Sequence, residues 1–205
     1  TASVADAEYT STQTFTVTVA NVNDAPVLST VDDVIFTEDG SSGSITLLAT
    51  DPDLGDVLTF GITGGDNITP TLIGDQLSFI STPDFNGTEV FTVSVNDGEE
   101  DDDYTDSQIL SVTVSAVNDI PELLAIDDQY INEGGTKVIL LSASDVDGDD
   151  LTYFAQVDGN GSASVDGSTL TVIPDADYNG DILVSVTVSD GQAGDSDSFI
   201  LTVNA

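Results

Sequence analysis

The 205-residue chain has no cysteine, histidine, tryptophan or methionine, and Lys137 is its only basic side chain. Without cysteine there is neither a disulfide framework nor a thiolate metal site. With no histidine, no cysteine and one lysine, a Ser or Thr nucleophile has no base, so nucleophilic triads are excluded. Against that single cation stand 38 Asp and Glu, a formal net charge of −37. Such a chain repels nucleic acid and anionic membranes, and its natural partners are cations or basic surfaces. No apolar run reaches the length of a membrane span, and no basic stretch followed by an apolar core opens the chain, so membrane insertion is not expected.

What is there is ordered by pattern. High acidity with few aromatics can mark disorder, but 39% of the residues are hydrophobic and they alternate regularly. Phe91, Val93 and Val95 share one face, as do Val184, Val186 and Val188; Leu58, Phe60 and Ile62 match Leu151, Tyr153 and Ala155. β-branched residues dominate, and Gly, Asn and Asp clusters break the runs every 8–12 residues or so, the pattern of an antiparallel sandwich.

The chain also repeats itself. Asn23-Asp24-Ala25-Pro26 returns as Asn118-Asp119-Ile120-Pro121, and Glu38 returns as Glu133, both displaced by 95 residues (118 − 23, 133 − 38). Asp51-Pro52-Asp53 recurs as Asp145-Val146-Asp147, Asn86-Gly87 as Asn179-Gly180, and Asp97-Gly98 as Asp190-Gly191. Two small repeats, 23–117 and 118–205, follow. Seven strands are expected in each, over 31–37, 44–50, 57–63, 67–72, 76–81, 88–96 and 107–116, and over 128–133, 136–143, 150–157, 162–165, 168–173, 181–189 and 197–204. Residues 1–22 read as the terminal strand and linker of a preceding repeat, because Asp6 to Val19 matches Asp101 to Val114. Phe15, Val17 and Val19 then form an apolar face without a sheet.

The repeated landmarks are mostly carboxylates, amides and glycines. Asn23 and Asp24 lie in a linker, Asp51 and Asp53 follow the second strand, and Asp97 follows the sixth; in a seven-strand Greek key these ends converge at one pole. Asn118, Asp119, Asp145, Asp147 and Asp190 converge in the same way, and Glu38 ends the first strand at the opposite pole. Gathered carboxylates repel one another and need protons or a hard cation. Oxygen donors without His or Cys select calcium, which takes 6–8 oxygens.

Ala49-Thr50-Asp51-Pro52-Asp53 with Leu58-Thr59-Phe60, Val95-Asn96-Asp97-Gly98, and Val114 to Pro121 together resemble the cadherin repeat. Pro83-Asp84-Phe85-Asn86-Gly87 and Pro174 to Gly180 bring the chain nearer to bacterial cadherin-like repeats of giant secreted, repeats-in-toxin-type adhesins. The resemblance implies tandem Greek-key β-sandwiches with calcium between domains. In that scheme Glu38, Asn118, Asp119, Asp145, Asp147 and Asp190 serve one junction, and Asn23, Asp24, Asp51, Asp53 and Asp97 its counterpart. The cadherin Leu-Asp-Arg-Glu motif is absent. Glu89 stands in that region as a candidate ligand, with a solvent-facing strand residue as the other reading.

Asp145 to Asp150 does not make an EF-hand, which needs Gly at its sixth and Glu at its twelfth position, where this chain has Asp150 and Gln156. Asp149 reads as a turn residue, with ligation of a second ion as the lesser reading, and Glu99 to Asp103 as a solvated acidic loop. The expected function is a non-enzymatic one: calcium-stiffened extender repeats of a bacterial cell-surface adhesin, outside the cell, supporting adhesion or biofilm attachment. The expected partners are calcium, neighbouring repeats, and homophilic or glycan contacts. A calcium-dependent carbohydrate-binding module is the alternative.

Overall fold

The alternating runs become strands, and no helix occurs among the described residues, which in this computed structural model are 1–20, 22–98 and 104–205. Asn21 and the acidic run Glu99–Asp103 lie outside them. No helix is long and apolar enough to cross a membrane.

The chain opens with a hairpin of β1 (Ala2–Ala5) and β2 (Thr10–Gln13). The first repeat follows with β3 (Val27–Leu28), β4 (Val34–Thr37), β5 (Ile45–Thr46), β6 (Ala49–Thr50), β7 (Thr59–Gly64), β8 (Ile68–Ile73), β9 (Gln76–Ser81), β10 (Gly87–Asn96) and β11 (Thr105–Ser115). The second has β12 (Glu122–Leu123), β13 (Gln129–Asn132), β14 (Lys137–Leu140), β15 (Ala143–Ser144), β16 (Thr152–Val157), β17 (Gly161–Asp166), β18 (Thr169–Pro174), β19 (Gly180–Ser189) and β20 (Gly194–Asn204). Sheet orders are β4-β11-β10-β7 and β5-β9-β8 in the first repeat, and β13-β20-β19-β16 and β14-β18-β17 in the second, with the short pairs β3-β6 and β12-β15. The non-sequential order is the Greek key expected from the sequence. β13 runs parallel to β20, while β19 and β20 pair antiparallel from Gly180↔Val203 to Ser189↔Gly194.

By internal packing the chain divides into two compact units. One comprises Thr1–Ile35, Ser41–Ile80 and Thr88–Thr113; the other comprises Phe36–Gly40, Ser81–Gly87 and Val114–Ala205. The inward residues of the alternating runs fill each core: Phe91, Val93 and Val95 are fully buried in the first unit, and Val184, Val186, Val188 and Phe199 in the second. Phe79 and Phe91 pack with ring centroids 5.0 Å apart at 60°, a tilted geometry that suits the ring quadrupoles. Gly65, at φ +86°, lies so close to Phe91 that a Cβ there would clash with Ile68 O and with the Phe91 ring at 2.6 Å. Only glycine fits the turn.

The expected first strands, 31–37 and 128–133, appear as β4 and β13, and each is preceded by a short strand that was not expected, β3 or β12. β3 joins β6 on one sheet and β4 joins β11 on the other, and β12 and β13 divide likewise. Between the two strands, backbone amides are satisfied by side chains of the last strand: Leu28 N–H donates to Asp106 Oδ2 (2.8 Å) and Val31 N–H to Gln108 Oε1 (3.2 Å). Leu123 N–H donates to Asp195 Oδ2 (3.0 Å) and Ile126 N–H to Asp197 Oδ2 (2.8 Å). Return bonds run from Ser111 N–H to Asp33 and from Ile200 N–H to Asp128. The expected second strand splits, because Leu47 N–H bonds Asp75 O while Leu48 O accepts from Ser29 N–H, so successive residues face different partners. Part of the acidity is therefore structural: these carboxylates complete backbone hydrogen bonding where the chain crosses between sheets.

Candidate metal centres

The linker residues and strand ends come together in the same way in both repeats. Asn23 Nδ2 donates to Asp97 Oδ2 (3.0 Å) and Asp24 N–H to Asp53 Oδ2 (2.7 Å). Asn118 Nδ2 donates to Asp190 Oδ2 (2.9 Å) and Asp119 N–H to Asp147 Oδ2 (2.7 Å). The Asn-Asp pair after the preceding strand is thus clamped by the two carboxylates that the Greek key brings to that end. Asp97 is buried, and so is Glu38, whose Oε1 accepts from Val117 N–H and whose own N–H bonds Ser115 O.

Among the described residues, three groups of carboxylates have ligand oxygens within 4.8 Å of one another: Asp51, Asp53 and Asp56; Asp145, Asp147 and Asp149; and Asp39, Asp84 and Asp119. The first lies in the first compact unit, and the other two lie in the second. Two oxygens bound to one calcium at 2.3–2.6 Å are at most about 4.6–5.2 Å apart, so this spacing fits a shared ion. Each group also contains one buried carboxylate oxygen without a hydrogen-bond partner: Asp51 Oδ2, Asp145 Oδ2 and Asp119 Oδ2. Buried polar atoms are rarely left so. The donor set, all oxygen and mostly carboxylate, matches a hard divalent cation.

Three members of these groups, Asp39, Asp56 and Asp84, were not among the candidates the sequence offered, and Asp149 was offered there only as the lesser reading of a turn residue. Asp56 and Asp149 have the appearance of loop residues, yet the loop after each Asp-x-Asp turns them back onto it. Asp39 and Asp84 lie 45 residues apart (84 − 39), both with left-handed backbone, φ 60° and 57°, a conformation Asp tolerates better than most residues. One signal was available for Asp84: an Asp, Asp177, stands at the same distance before the repeated Gly, and the structure gives both left-handed backbone, φ 57° and 59°.

Glu89 is placed elsewhere. Its carboxylate accepts from Asp66, Asn67 and Ile68 N–H at 2.8–3.1 Å and from Asn67 Nδ2 at 3.0 Å, which pins the turn between β7 and β8. Burial pushes this carboxyl up, but those hydrogen bonds outweigh it and hold it below the ordinary value. Of the five tyrosines, Tyr153 and Tyr178 pack against the core of the second unit, which leaves Tyr9, Tyr104 and Tyr130 exposed.

Electrostatics separates the cluster members. Desolvation, then repulsion from Asp84, Asp147, Asp39 and Glu38, raises the pKa of Asp119. Desolvation followed by neighbouring carboxylates likewise raises Asp56 and Asp149. Asp190 is held low by hydrogen bonds from the Asn118 amide and from Ala193 and Gln192 N–H. A carboxyl raised by folding contributes stability below its unfolded pKa and loses it as pH rises through the folded value; a lowered one loses its contribution only as pH falls through its own folded value. Ion-free protein should therefore melt higher at about pH 4.5–5, just above the ordinary carboxylate range, than at about pH 7. Thermal unfolding in chelator checks this, and a midpoint no higher at about pH 4.5–5 than at about pH 7 would contradict it.

The sequence profile of the bacterial Ig domain matches residues 23–114 and again 118–204. No curated protein matches the chain. Among solved structures, human protocadherin-24 EC1-2 is similar over 89% of this chain and 99% of its own, with 17% identity and a TM-score of 0.59. The human desmocollin-1 ectodomain is similar at 14% identity and a TM-score of 0.50, over 89% of this chain and 41% of its own. An endo-fucoidan hydrolase from glycoside hydrolase family 107 has 20% identity over 88% of this chain, which spans 29% of that enzyme, at a TM-score of 0.39. The family profile and the two cadherin likenesses establish a fold of cadherin-like, immunoglobulin-like sandwiches in tandem.

Proposed function

The chain belongs to the bacterial Ig domain family, with two copies in tandem, and from that premise we propose that its repeats are calcium-loaded spacers of a bacterial surface adhesin. The observation that carries the reading is the unpartnered, buried carboxylate oxygen found once in each of the three acidic groups. Asp51, Asp53 and Asp56, flanked by Asn23, Asp24 and Asp97, would hold one ion. Asp145, Asp147 and Asp149, flanked by Asn118 and Asp190, would hold a second, and Asp39, Asp84 and Asp119, flanked by Glu38, a third. Glu89 stands outside this set.

When bound, calcium would supply the positive charge that these carboxylates lack. The residues do the rest. Asn118 and Asp190 fix the linker to the loop after β19, Asp147 holds the amide of Asp119, and Glu38 holds the amide of Val117. Each contact limits the freedom of the 114–119 segment. With its carboxylates neutralised, that segment stiffens, and many such repeats would carry an adhesive domain away from the cell. Extracellular calcium modules bind at about 10⁻⁴ to 10⁻³ M, so the repeats would load outside the cell and stay loose inside it.

Small-angle scattering tests this. In calcium the chain should give one fixed profile, in chelator a broader distribution, and Asp119→Ala in calcium should resemble the chelated wild type. Identical profiles in calcium and chelator would overturn the spacer reading.

A further inference from the structure

The opening hairpin is more than a loose end. β1 and β2 pair with the register Ala2↔Gln13, Ser3↔Thr12, Val4↔Ser11 and Ala5↔Thr10. Their side chains are exposed throughout, and an isolated two-stranded hairpin is marginal in water. The same register occurs in the second repeat, where Val186↔Asp197, Thr187↔Ser196, Val188↔Asp195 and Ser189↔Gly194 join the end of β19 to the start of β20. Superposing these pairs sets Ala2 on Val186, Val4 on Val188 and Asp6 on Asp190.

The sequence agrees in the first repeat, where Thr1-Ala2-Ser3-Val4-Ala5-Asp6 parallels Thr92-Val93-Ser94-Val95-Asn96-Asp97. The turns agree as well. Asp6 Oδ1 accepts from the amides two and three residues on, Glu8 and Tyr9, at 2.9 and 2.8 Å. Asp190 Oδ1 accepts from Gln192 and Ala193 in the same way, at 2.6 Å each. Hydrogen bonds of this kind lower the pKa of both carboxyls.

The apolar positions complete the correspondence. Phe15, Val17 and Val19 fall on Leu110, Val112 and Val114 and on Phe199, Leu201 and Val203. The latter six are 0–3% exposed, whereas Phe15, Val17 and Val19 are 61, 71 and 87% exposed. In both folded copies the strand that carries this face is flanked in its sheet by the same neighbours, β10 and β4 in the first repeat and β19 and β13 in the second, and its inward side chains are buried in the core.

We infer that residues 1–19 are the sixth-to-seventh-strand hairpin of a further sandwich of this type, and that the remaining strands of that sandwich are what covers Val4, Phe15, Val17 and Val19. Asp6, which the ungapped sequence match sets on Asp101, then stands by register and turn geometry where Asp97 and Asp190 stand in their repeats. The assignment rests on register and turn geometry and does not depend on calcium.

The correspondence sets the seam of the experiment. Because Thr1 replaces Thr92, a copy of residues 23–91 is placed directly before Thr1 of the full chain, so that residues 1–19 close the added copy. Hydrogen exchange of the amides of residues 14–19 is expected to slow by at least about 100-fold relative to the unmodified chain, and Phe15→Ser in the extended chain should restore fast exchange. Unchanged fast exchange would overturn the inference. A second variant avoids reliance on the added copy: within the 205 residues, Ser107→Thr, Ile109→Thr, Leu110→Phe and Ser111→Thr write the sequence of residues 12–19 into β11 while keeping Asp106, which holds the amide of Leu28. The first repeat should still unfold cooperatively; loss of its cooperative transition would overturn the assignment of residues 12–19 as a seventh strand. The unmodified chain should be monomeric, and a dimer abolished by Phe15→Ser would overturn the inference by making a second copy the occupant.

Discussion

Ion-free protein brought to about 10 mM calcium is expected to unfold about 10–20 °C higher. A site with a dissociation constant near 10⁻⁴ M contributes about 2.7 kcal/mol at hundredfold excess of ligand, and 1 kcal/mol moves the midpoint of a 60–100-residue domain by about 4–8 °C. The gain should exceed that from magnesium, which demands a tighter octahedral shell and sheds its water reluctantly. Calorimetry in chelator, calcium and magnesium measures this directly. Asp145→Asn removes a carboxylate from the Asp145, Asp147 and Asp149 group, and should reduce the calcium increment of the second unit while leaving that of the first, whose Asp51, Asp53 and Asp56 are intact. Equal midpoints in chelator and calcium would leave the three acidic groups without an ion to hold.

Phe199→Ala should destabilise the second repeat by about 3–5 kcal/mol, the cost of emptying a filled aromatic site. Phe199 is 1% exposed and packs in a core with Leu170, Val184 and Leu201, so its removal leaves a cavity. Phe154, on β16 but 64% exposed, provides the contrast: Phe154→Ala should change stability by less than about 0.5 kcal/mol. Chemical denaturation of the two variants separates them, and comparable losses would contradict the assignment of inner and outer faces. The alternation that sets this contrast was visible in the sequence, where Phe154 falls between Tyr153 and Ala155 on the opposite face.

Most of the fold was legible for the same reason. A strand writes its two faces into every second residue, so β7, β10, β16 and β19 fell within a few residues of their expected positions. The short strands β3 and β12 were not legible. Their pairing extends over two residues, and their neighbouring amides are completed by Asp106, Gln108, Asp195 and Asp197, more than 70 residues away.

The candidate sites divide along the same line. The Asn-Asp pairs, the Asp-x-Asp turns and the acids after the sixth strands could be assembled from repeated positions and strand direction alone. The structure brings those residues together, but adds Asp39, Asp84 and Asp56, moves Asp149 from turn residue to group member, and sets Glu89 to a different task. Nothing local distinguishes Glu89, which pins a turn, from Asp84, whose carboxylate sits against those of Asp39 and Asp119.

The sequence by itself determined the class of fold, the number of repeats and the chemistry available, because periodicity, repetition and the absence of His and Cys are properties of the chain. Only the tertiary structure decided which of 38 acids act together. A carboxylate becomes a latch or a candidate ligand according to whether a backbone amide or another carboxylate lies opposite it, and what lies opposite is set by strands distant in the chain.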